Sequence, residues 1–541
     1  MDAIFDLVVV GAGAGGLVSA IRAHDLGLRV VVVEAAAKVG GATAFSGGQV
    51  WVGANHVMER IGAADSLDEV RAYVRAIAPP PDVVDTAVFE QWIARAPEIM
   101  RALEAQGAVE WTHVPHLCDY EYPQTAGSKA EGRYLACGPL EGSTLGANRE
   151  LLLTSPHHPP GPTWDELIAV WGDGEKVREL CEDRAARGIL TFGTGLAAHL
   201  YRAALARGIA ILTEHRAQEL RLTAGAVTGV RCAAPDGDVE LVGPVVLATG
   251  TYDWNEEMVR EYSGLEPANT GSVSPTSLQG DGILLGRQAG ANIFRMPLRT
   301  SVHVAGYRAL EPNGDDEGFR FCLQLSFPHS FMVDSTGNRF CDDSYYRSIS
   351  HAILTEPERS HLPYYLIWDE DHHQRYGLDP AGPGEQYPAA MQVKSAATIG
   401  GLAQALGLDP EALTATTERF NEHAAAGHDP DFHRGKNRWA ATFLGDPSNQ
   451  PSTVLGPVAR APFYGMAMRL VGTAVGAAGV HASTDGQVLR PDSTRIEGLY
   501  AVGAAAAFTT SGTGYNSGMA LSRAITFGYL AAEHVNAHRP G

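Results

Sequence analysis

Basic residues are scarce in this 541-residue sequence: 41 Lys and Arg stand against 62 Asp and Glu, a net charge of −21. A surface of that sign repels phosphate backbones and anionic lipid headgroups, so nucleic acid is excluded as the expected partner. Long apolar runs are missing as well. No stretch nears the ~20 residues needed to span a bilayer, and the opening residues read at once as a strand, leaving no place for a secretory leader. The expected location is the cytoplasm. The six cysteines, Cys118, Cys137, Cys181, Cys232, Cys322 and Cys341, include no CxxC pair. A zinc ribbon, a haem attachment site and a disulfide framework are therefore not signalled, and the thiols read as small core hydrophobes. No metal is expected: His157-His158 and His372-His373 lack a third ligand at suitable spacing and read as surface loops. The run Asp315-Asp316-Glu317 lacks the alternating oxygens of a calcium loop and reads as a solvated turn.

What the chain has in excess is glycine, 61 of 541 residues, about 11% against roughly 7% in an average chain. Its length fits two to four domains. The apolar segment from Ile4 to Val10 runs into Gly11-Ala12-Gly13-Ala14-Gly15-Gly16, then a helical stretch from Leu17 to Asp25, then Val30 to Val33 ending at Glu34. Strand, glycine turn, helix, strand, acid is the arrangement that binds a dinucleotide. Gly11 makes the tight turn, Gly13 lets backbone amides reach a pyrophosphate, and Gly16 lets helix and strand approach. The phosphates sit at the helix N-terminus, and Glu34 is placed for the ribose hydroxyls.

That motif leaves FAD and NAD both open. A second loop, from Lys38 through Gly40, Gly41, Thr43 and Ser46 to Gly47 and Gly48, is dense in glycine and hydroxyls and suits the remaining phosphate and a ribityl chain. Val245 to Ala248 leads to Gly250, and Gly498 to Val502 leads to Gly503, so strand ends from distant parts of the chain converge on one extended cofactor. A nicotinamide domain is normally continuous, and this scatter favours a flavin.

Taken in order, several segments resemble the flavoprotein superfamily that holds fumarate reductases and 3-ketosteroid Δ1-dehydrogenases, with the closer likeness to the latter. They are Asp119-Tyr120 to Gly132-Arg133, Gly280-Asp281-Gly282, Gly337 to Phe340, Asp429 to Gly435, Gly445 to Pro447, Ala461 to Tyr464, and Tyr500 to Ala532. The resemblance implies an α/β fold: a discontinuous Rossmann-like FAD-binding domain, residues 1–289 and 455–541, with an inserted α+β catalytic domain at 290–454. It implies non-covalent FAD, because no histidine stands in the loop from Gly40 to Gly48. It also implies α,β-dehydrogenation of a cyclic ketone, a 3-ketosteroid or a smaller cyclohexanone, with electrons passing to a quinone, oxygen or another acceptor.

Removing two hydrogens beside a ketone needs a grip on the oxygen, a base for the α-proton and a hydride acceptor, the last being flavin N5. By the resemblance, the grip falls on Tyr515 and Gly518 in Gly514-Tyr515-Asn516-Ser517-Gly518. The base falls on Tyr346 or Tyr345, after Arg339-Phe340, and the helper on Tyr120, with Tyr122 in reserve. A phenol with pKa ~10 acts as a base near neutrality only when its phenolate is stabilised, and Arg347 is placed to do so. Asp342 and Asp343 either steer the tyrosine pair or end an exposed strand. Two rivals remain. A fumarate-reductase-like enzyme needs arginine clamps for two carboxylates, and its His-Pro-Thr and Arg-Gly-Glu-Gly signatures are absent; a non-catalytic flavin binder has no need of a tyrosine-rich insert.

Overall fold

The computed structural model describes residues 3–78, 84–158, 161–170, 174–314, 316–355 and 361–539. Asp315 of the acidic run, and Pro159 and Pro160 beyond the first histidine pair, lie outside them.

The valine-rich segments Leu7–Val10, Val30–Val33 and Val245–Leu247 form strands buried along their whole length. Their apolar runs are continuous because both faces of the sheet are covered. Across the sheet the order is Gln487–Leu489, Arg495–Ala501, Val245–Leu247, Leu7–Val10, Val30–Val33, Ala210–Leu212. All neighbours are parallel except the first pair, which is antiparallel. The chain leaves Leu7–Val10 toward one side of the sheet and returns on the other, so the carboxyl end of that strand is a topological switch point, where open α/β sheets bind ligands.

One face of this sheet packs on the helices Ala14–Asp25, Phe192–Ala206 and Met519–Ala537. The other packs on a four-stranded sheet made of Ala3–Ile4, Val239–Val242, Ala226–Ala233 and Arg216–Thr223. The expected single strand from Ile4 to Val10 is thus two. Ala3–Ile4 pairs with Leu241 and Val242, and the chain changes sheets at Asp6, whose carboxylate accepts from Arg29 N at 2.8 Å. Where helices Ala14–Asp25 and Met519–Ala537 cross, only small residues fit. Ser19 Oγ reaches Gly15 O at 2.8 Å and Gly528 O at 2.9 Å, and a Cβ on Gly528 would meet Ser19 Oγ at 3.1 Å and press on the Gly15 carbonyl.

A second, seven-stranded sheet centres on the long strand Phe463–Gly472, flanked by His303–Arg308 and Tyr364–Trp368, with Phe319–Phe321 and Ser330–Asp334 outside them. Thr270–Ser272 and Lys394–Ala396 also pair with the long strand. Hydrogen bonding therefore assigns Thr270–Ser272 and Phe463–Gly472 to this sheet, on the far sides of the cuts expected near 290 and 454. Helices Ile399–Leu406 and Pro410–Ala426 cover its outer face. The architecture is a Rossmann-like α/β layer with a second, mixed sheet built against it.

Both histidine pairs are more enclosed than the expected surface loops, the first in a half-buried loop and the second in a helix. His372 and His373 are buried in the helix Glu370–Arg375. His157 and His158 are half-buried and pack on Phe321. Their neighbours are aromatic rings, and an imidazole in such surroundings is a packing group.

The helix crossing yields a test. Gly528→Ala overpacks it and is expected to cost about 1–3 kcal/mol, read as a lower melting temperature of the ligand-free protein; an unchanged melting temperature would contradict this account.

Candidate active site

Between the carboxyl ends of the parallel strands and the seven-stranded sheet lies a cleft of about 360 Å³. That lies within the ~300–1,000 Å³ range of ligand sites, and the lining runs from the glycine turn at one end to the tyrosines at the other. Gly11, Gly13 and Gly15 line its first end, at the N-terminus of the helix Ala14–Asp25, with Glu34 beside them. Gly41, Thr43, Ser46, Gly47 and Gly48 line the middle, with Gly250 and Gly503 opposite. Gly16 and Lys38 are not part of this lining.

The residues fit a dinucleotide on direct observation. A Cβ on Gly13 would lie 3.6 Å from Thr43 Oγ1 and 3.8 Å from Gly40 O, space that a phosphate needs. Thr43 Oγ1 accepts from Ala14 N at 3.0 Å, which fastens the second loop onto the first. Glu34 is buried; its two oxygens accept from Ala12 N at 2.8 Å and Ala36 N at 2.9 Å. Burial pushes its pKa up, the backbone donors oppose that, and each oxygen retains capacity for a ribose hydroxyl. Thr249 Oγ1, in the cleft wall, is buried without a hydrogen-bond partner. An orphaned hydroxyl of that kind calls for a ligand or water.

At the other end the tyrosines gather. Tyr346 is the first residue of the helix Tyr346–Thr355, and its hydroxyl donates to Tyr120 Oη at 2.9 Å. Tyr120, 2% exposed, packs on Trp439 at 4.4 Å between ring centroids and on Tyr515 at 6.5 Å. Tyr346, Tyr120, Tyr515 and Gly518 all face the cleft, whereas Tyr345 does not. Tyr345 packs edge-on against Tyr120 and Tyr346 and hydrogen-bonds Glu121. Tyr122, away from the cleft, lies under the guanidinium of Arg438. Burial pushes Tyr120 up to about 12 and raises Tyr346 and Tyr515 further. Arg347 opposes this weakly; its guanidinium donates to the carbonyls of Thr513 at 3.0 Å and Arg299 at 3.1 Å, and lies 5.8 Å from the Tyr515 ring.

Two buried ionic networks hold these phenols. Asp119 accepts from Arg133 Nη1 at 2.8 Å, from Trp51 Nε1 at 2.8 Å and from Asn516 Nδ2 at 3.3 Å. Arg133 also grips Asp65 through two 2.8 Å bonds. Burial works against charge on Arg133, and the two carboxylates outweigh it. Asn516 Oδ1 then accepts from Tyr73 Oη and from Tyr120 N, both at 3.1 Å. On the other side, Asp343 is fully enclosed: it pairs with Arg434 at 2.8 Å and Arg339 at 3.1 Å and accepts from Met332 N at 2.6 Å. Neither Asp342 nor Asp343 ends an exposed strand. Asp343 is the anchor of the turn that delivers Tyr346.

Several contributors were not singled out from sequence. Asn516 and Ser517 lie inside the glycine-tyrosine segment, but side chains there carry no periodic signal. Trp439, Phe443, Phe321 and Leu325 shape the substrate end and come from turns and short elements whose meeting is purely tertiary. Trp164 joins them, donating through Nε1 to Gly47 O at 2.8 Å. His158, also in the wall, is pushed down to about 4 by burial and is neutral. Among the described residues lining the cleft, none is Arg or Lys.

A Rossmann-like sheet, a glycine-lined dinucleotide cleft and a buried phenol cluster at its far end define a flavin-dependent oxidoreductase. Residues 6–521 match the FAD binding domain family. The chain is 30% identical to the 3-oxosteroid 1-dehydrogenase of Mycolicibacterium smegmatis over 98% of its own length and 96% of that protein. It is also 30% identical to the 4-oxocyclohexanecarboxylate 2-dehydrogenase of Sinomonas cyclohexanicum, covering 99% of this chain and 94% of that one. The crystal structure of the 3-ketosteroid Δ1-dehydrogenase from Sterolibacterium denitrificans, in complex with 1,4-androstadiene-3,17-dione, superposes with a TM-score of 0.90 at 26% identity, covering 99% of this chain and 100% of that one. The chain belongs to the 3-ketosteroid Δ1-dehydrogenase-like FAD flavoproteins. It is an FAD-dependent dehydrogenase, and among the described residues no helix is long and apolar enough to cross a membrane.

The two glycines of the first turn separate folding from binding. A Cβ on Gly16 would collide with the Gly11 carbonyl and meet Val9 Cγ1 at 3.2 Å, whereas a Cβ on Gly13 meets nothing closer than 3.6 Å. Gly16→Ala is expected to lower the melting temperature of the apoprotein. Gly13→Ala is expected to leave it near wild type while the flavin-to-protein absorbance ratio falls; equal effects on both measurements from both variants would refute the assignment.

Proposed function

We propose that this enzyme dehydrogenates a neutral cyclic ketone, introducing a double bond between the carbons α and β to the carbonyl. The observation that carries the reading is the Tyr346–Tyr120 phenol pair, 2.9 Å apart, on the wall of a cleft whose described lining residues include no Arg or Lys. A dicarboxylate substrate would need cationic clamps there. The imidazole of His158 is neutral, and His215 sits at the nucleotide end, its backbone bonded to Glu34 O. The relatives named above act on a steroid ketone and on an oxo acid; the apolar, uncharged wall favours the uncharged ring.

In this reading Tyr515 Oη and the Gly518 N–H hold the ketone oxygen. Burial keeps Tyr515 protonated and therefore a donor, which is what a developing enolate requires. As the phenolate, with Tyr120 donating to its oxygen, Tyr346 takes the α-proton and becomes the phenol. FAD, when bound, supplies the hydride acceptor for the β-hydrogen. Trp439, Phe443 and Phe321 exclude water from the ring-binding end. FAD is held without a covalent link, and the electrons leave to a quinone, oxygen or another acceptor. In this reading the substrate unit includes Thr270–Ser272 and Phe463–Gly472, so its seams with the nucleotide unit fall before Thr270 and after Gly472.

Anaerobic mixing with a neutral cyclohexanone or 3-ketosteroid is expected to bleach the flavin, and succinate is not; bleaching by succinate alone would overturn the reading. Tyr346→Phe is expected to slow that reduction on the order of 10²- to 10⁴-fold at unchanged FAD content. The pH profile follows from the sign of the shift. Burial raises Tyr346, so at neutral pH its phenolate is the minor form and the wild-type reduction rate climbs with pH. A flat profile from neutral pH upward would exclude a phenolate base.

A further inference from the structure

The backbone of Tyr120 is held at both ends by asparagine side chains. Its N–H donates to Asn516 Oδ1 at 3.1 Å, and its carbonyl accepts from Asn437 Nδ2 at 3.0 Å. Asn516 belongs to the loop of Tyr515 and Gly518. Asn437 comes from another part of the site: it is the N-cap of the helix Arg438–Phe443, where its Oδ1 accepts from Ala440 N at 2.9 Å. Both partners of Asn437 are backbone groups, a donor at Ala440 and an acceptor at Tyr120. Only one orientation of the amide satisfies both.

What this helix carries is the aromatic wall of the cleft. Trp439 and Phe443 stand one turn apart on one face, their ring centroids 5.6 Å apart, and both line the cleft. The Trp439 ring lies 4.4 Å from that of Tyr120 and 6.2 Å from that of Tyr346, centroid to centroid, and Phe443 lies 5.6 Å from Trp164. Trp439 is 6% exposed and its Nε1 has no hydrogen-bond partner, so no polar contact of its own fixes the ring. Its place follows from the helix. At six residues the helix is too short to persist unaided. Two hydrogen bonds fasten it to the rest of the site: Asn437 ties its first turn to Tyr120, and Thr453 Oγ1 donates to Ala441 O at 2.8 Å.

We infer that Asn437 is a positioning residue: it fixes the Trp439–Phe443 wall against Tyr120 and so sets where the substrate ring stands relative to the Tyr120–Tyr346 pair. Asn437 is not part of the cleft lining and touches no reacting group. It acts through its two bonds, because a shift of the helix stretches the bond to Tyr120, and a shift of Tyr120 pulls on the cap. The Tyr346 hydroxyl, bonded to Tyr120 at 2.9 Å, follows the same movement. Displacing reacting groups by ~1 Å can cost on the order of 10²-fold in rate, so a wall out of place is felt at the α-proton before it is felt in binding. This rests on the proposed role of Tyr346 as base.

The test is anaerobic flavin reduction by a cyclohexanone in the FAD-loaded enzyme. Ser and Asp both serve as helix N-caps, but serine is too short to reach the Tyr120 carbonyl and aspartate has no proton to give it. Asn437→Ser and Asn437→Asp therefore cut the link and keep the cap. Each is expected to lower the limiting rate about tenfold, with the half-saturating ketone concentration within about threefold of wild type. Melting temperature and flavin-to-protein ratio should stay near wild type. A double-variant cycle separates alignment from general loosening. With Tyr346→Phe already present, Asn437→Ser is expected to slow reduction by less than about twofold more, since no base is left to misalign. Wild-type rates in both single variants, or equal losses with and without Tyr346, overturn the inference. Should Asn437→Ser fail to hold FAD, Asn437→Asp is put through the same cycle. Failure of the wild-type enzyme to be reduced by any ketone, by contrast, defeats the functional reading itself.

Discussion

The carboxylate of Asp119, sealed from water and shared among Arg133, Trp51, Lys129 N and Asn516, is the contact on which the geometry of the site rests. Through Asn516 it ties the backbone of Tyr120 to the loop that carries Tyr515 and Gly518, segments almost 400 residues apart in the chain. Ion pairs this deep contribute little to stability compared with well-packed hydrophobes, yet losing one partner leaves an unpaired buried charge and costs several kcal/mol. Here the network makes one spacing between the Tyr120–Tyr346 pair and the loop of Tyr515 and Gly518 strongly preferred. Asp343 does the same for the segment leading into Tyr346, using Arg339 and Arg434.

The nucleotide half of the molecule was largely legible in the residues. Valine runs at strand length, glycines at fixed offsets and an acid at a strand end each encode a local conformation, and local conformation is what sequence states directly. The limits of that legibility are physical too. The break at Asp6 was hidden because Ile4, 65% exposed, looks like a core residue when only composition is read. The sheet membership of Thr270–Ser272 and Phe463–Gly472 depends on pairing between segments 200 residues apart, which no window contains. At the far end of the cleft the family likeness pointed to phenols that line it, while Trp439, Phe443 and Ser517, which also line it, were not singled out. Their roles arise only where four stretches of chain meet.

Charge explains the division of labour inside the cleft. The chain carries a surplus of acid overall, but the walls of the substrate end offer rings, aliphatic groups and hydroxyls rather than ions. Arg347, the cation nearest the phenols, spends its donors on backbone carbonyls of the loops on either side. It thus fixes the position of Tyr515 while leaving the space in front of the phenols uncharged. In the proposed reading, a site of this kind recognises shape and one oxygen atom. Its low polarity also strengthens each of the few hydrogen bonds that the reaction uses.

Because the central strand Val245–Leu247 has Leu7–Val10 on one side and Arg495–Ala501 on the other, the nucleotide layer is not complete until nearly the whole chain has been synthesised. Until then one side of that strand presents unpaired amides and carbonyls, the kind of edge through which nascent polypeptides associate. Contacts of such sequence separation also slow folding. Translation speed and chaperone supply should therefore govern the yield of active enzyme more than its final stability does, and early termination should give aggregates rather than a smaller functional fragment.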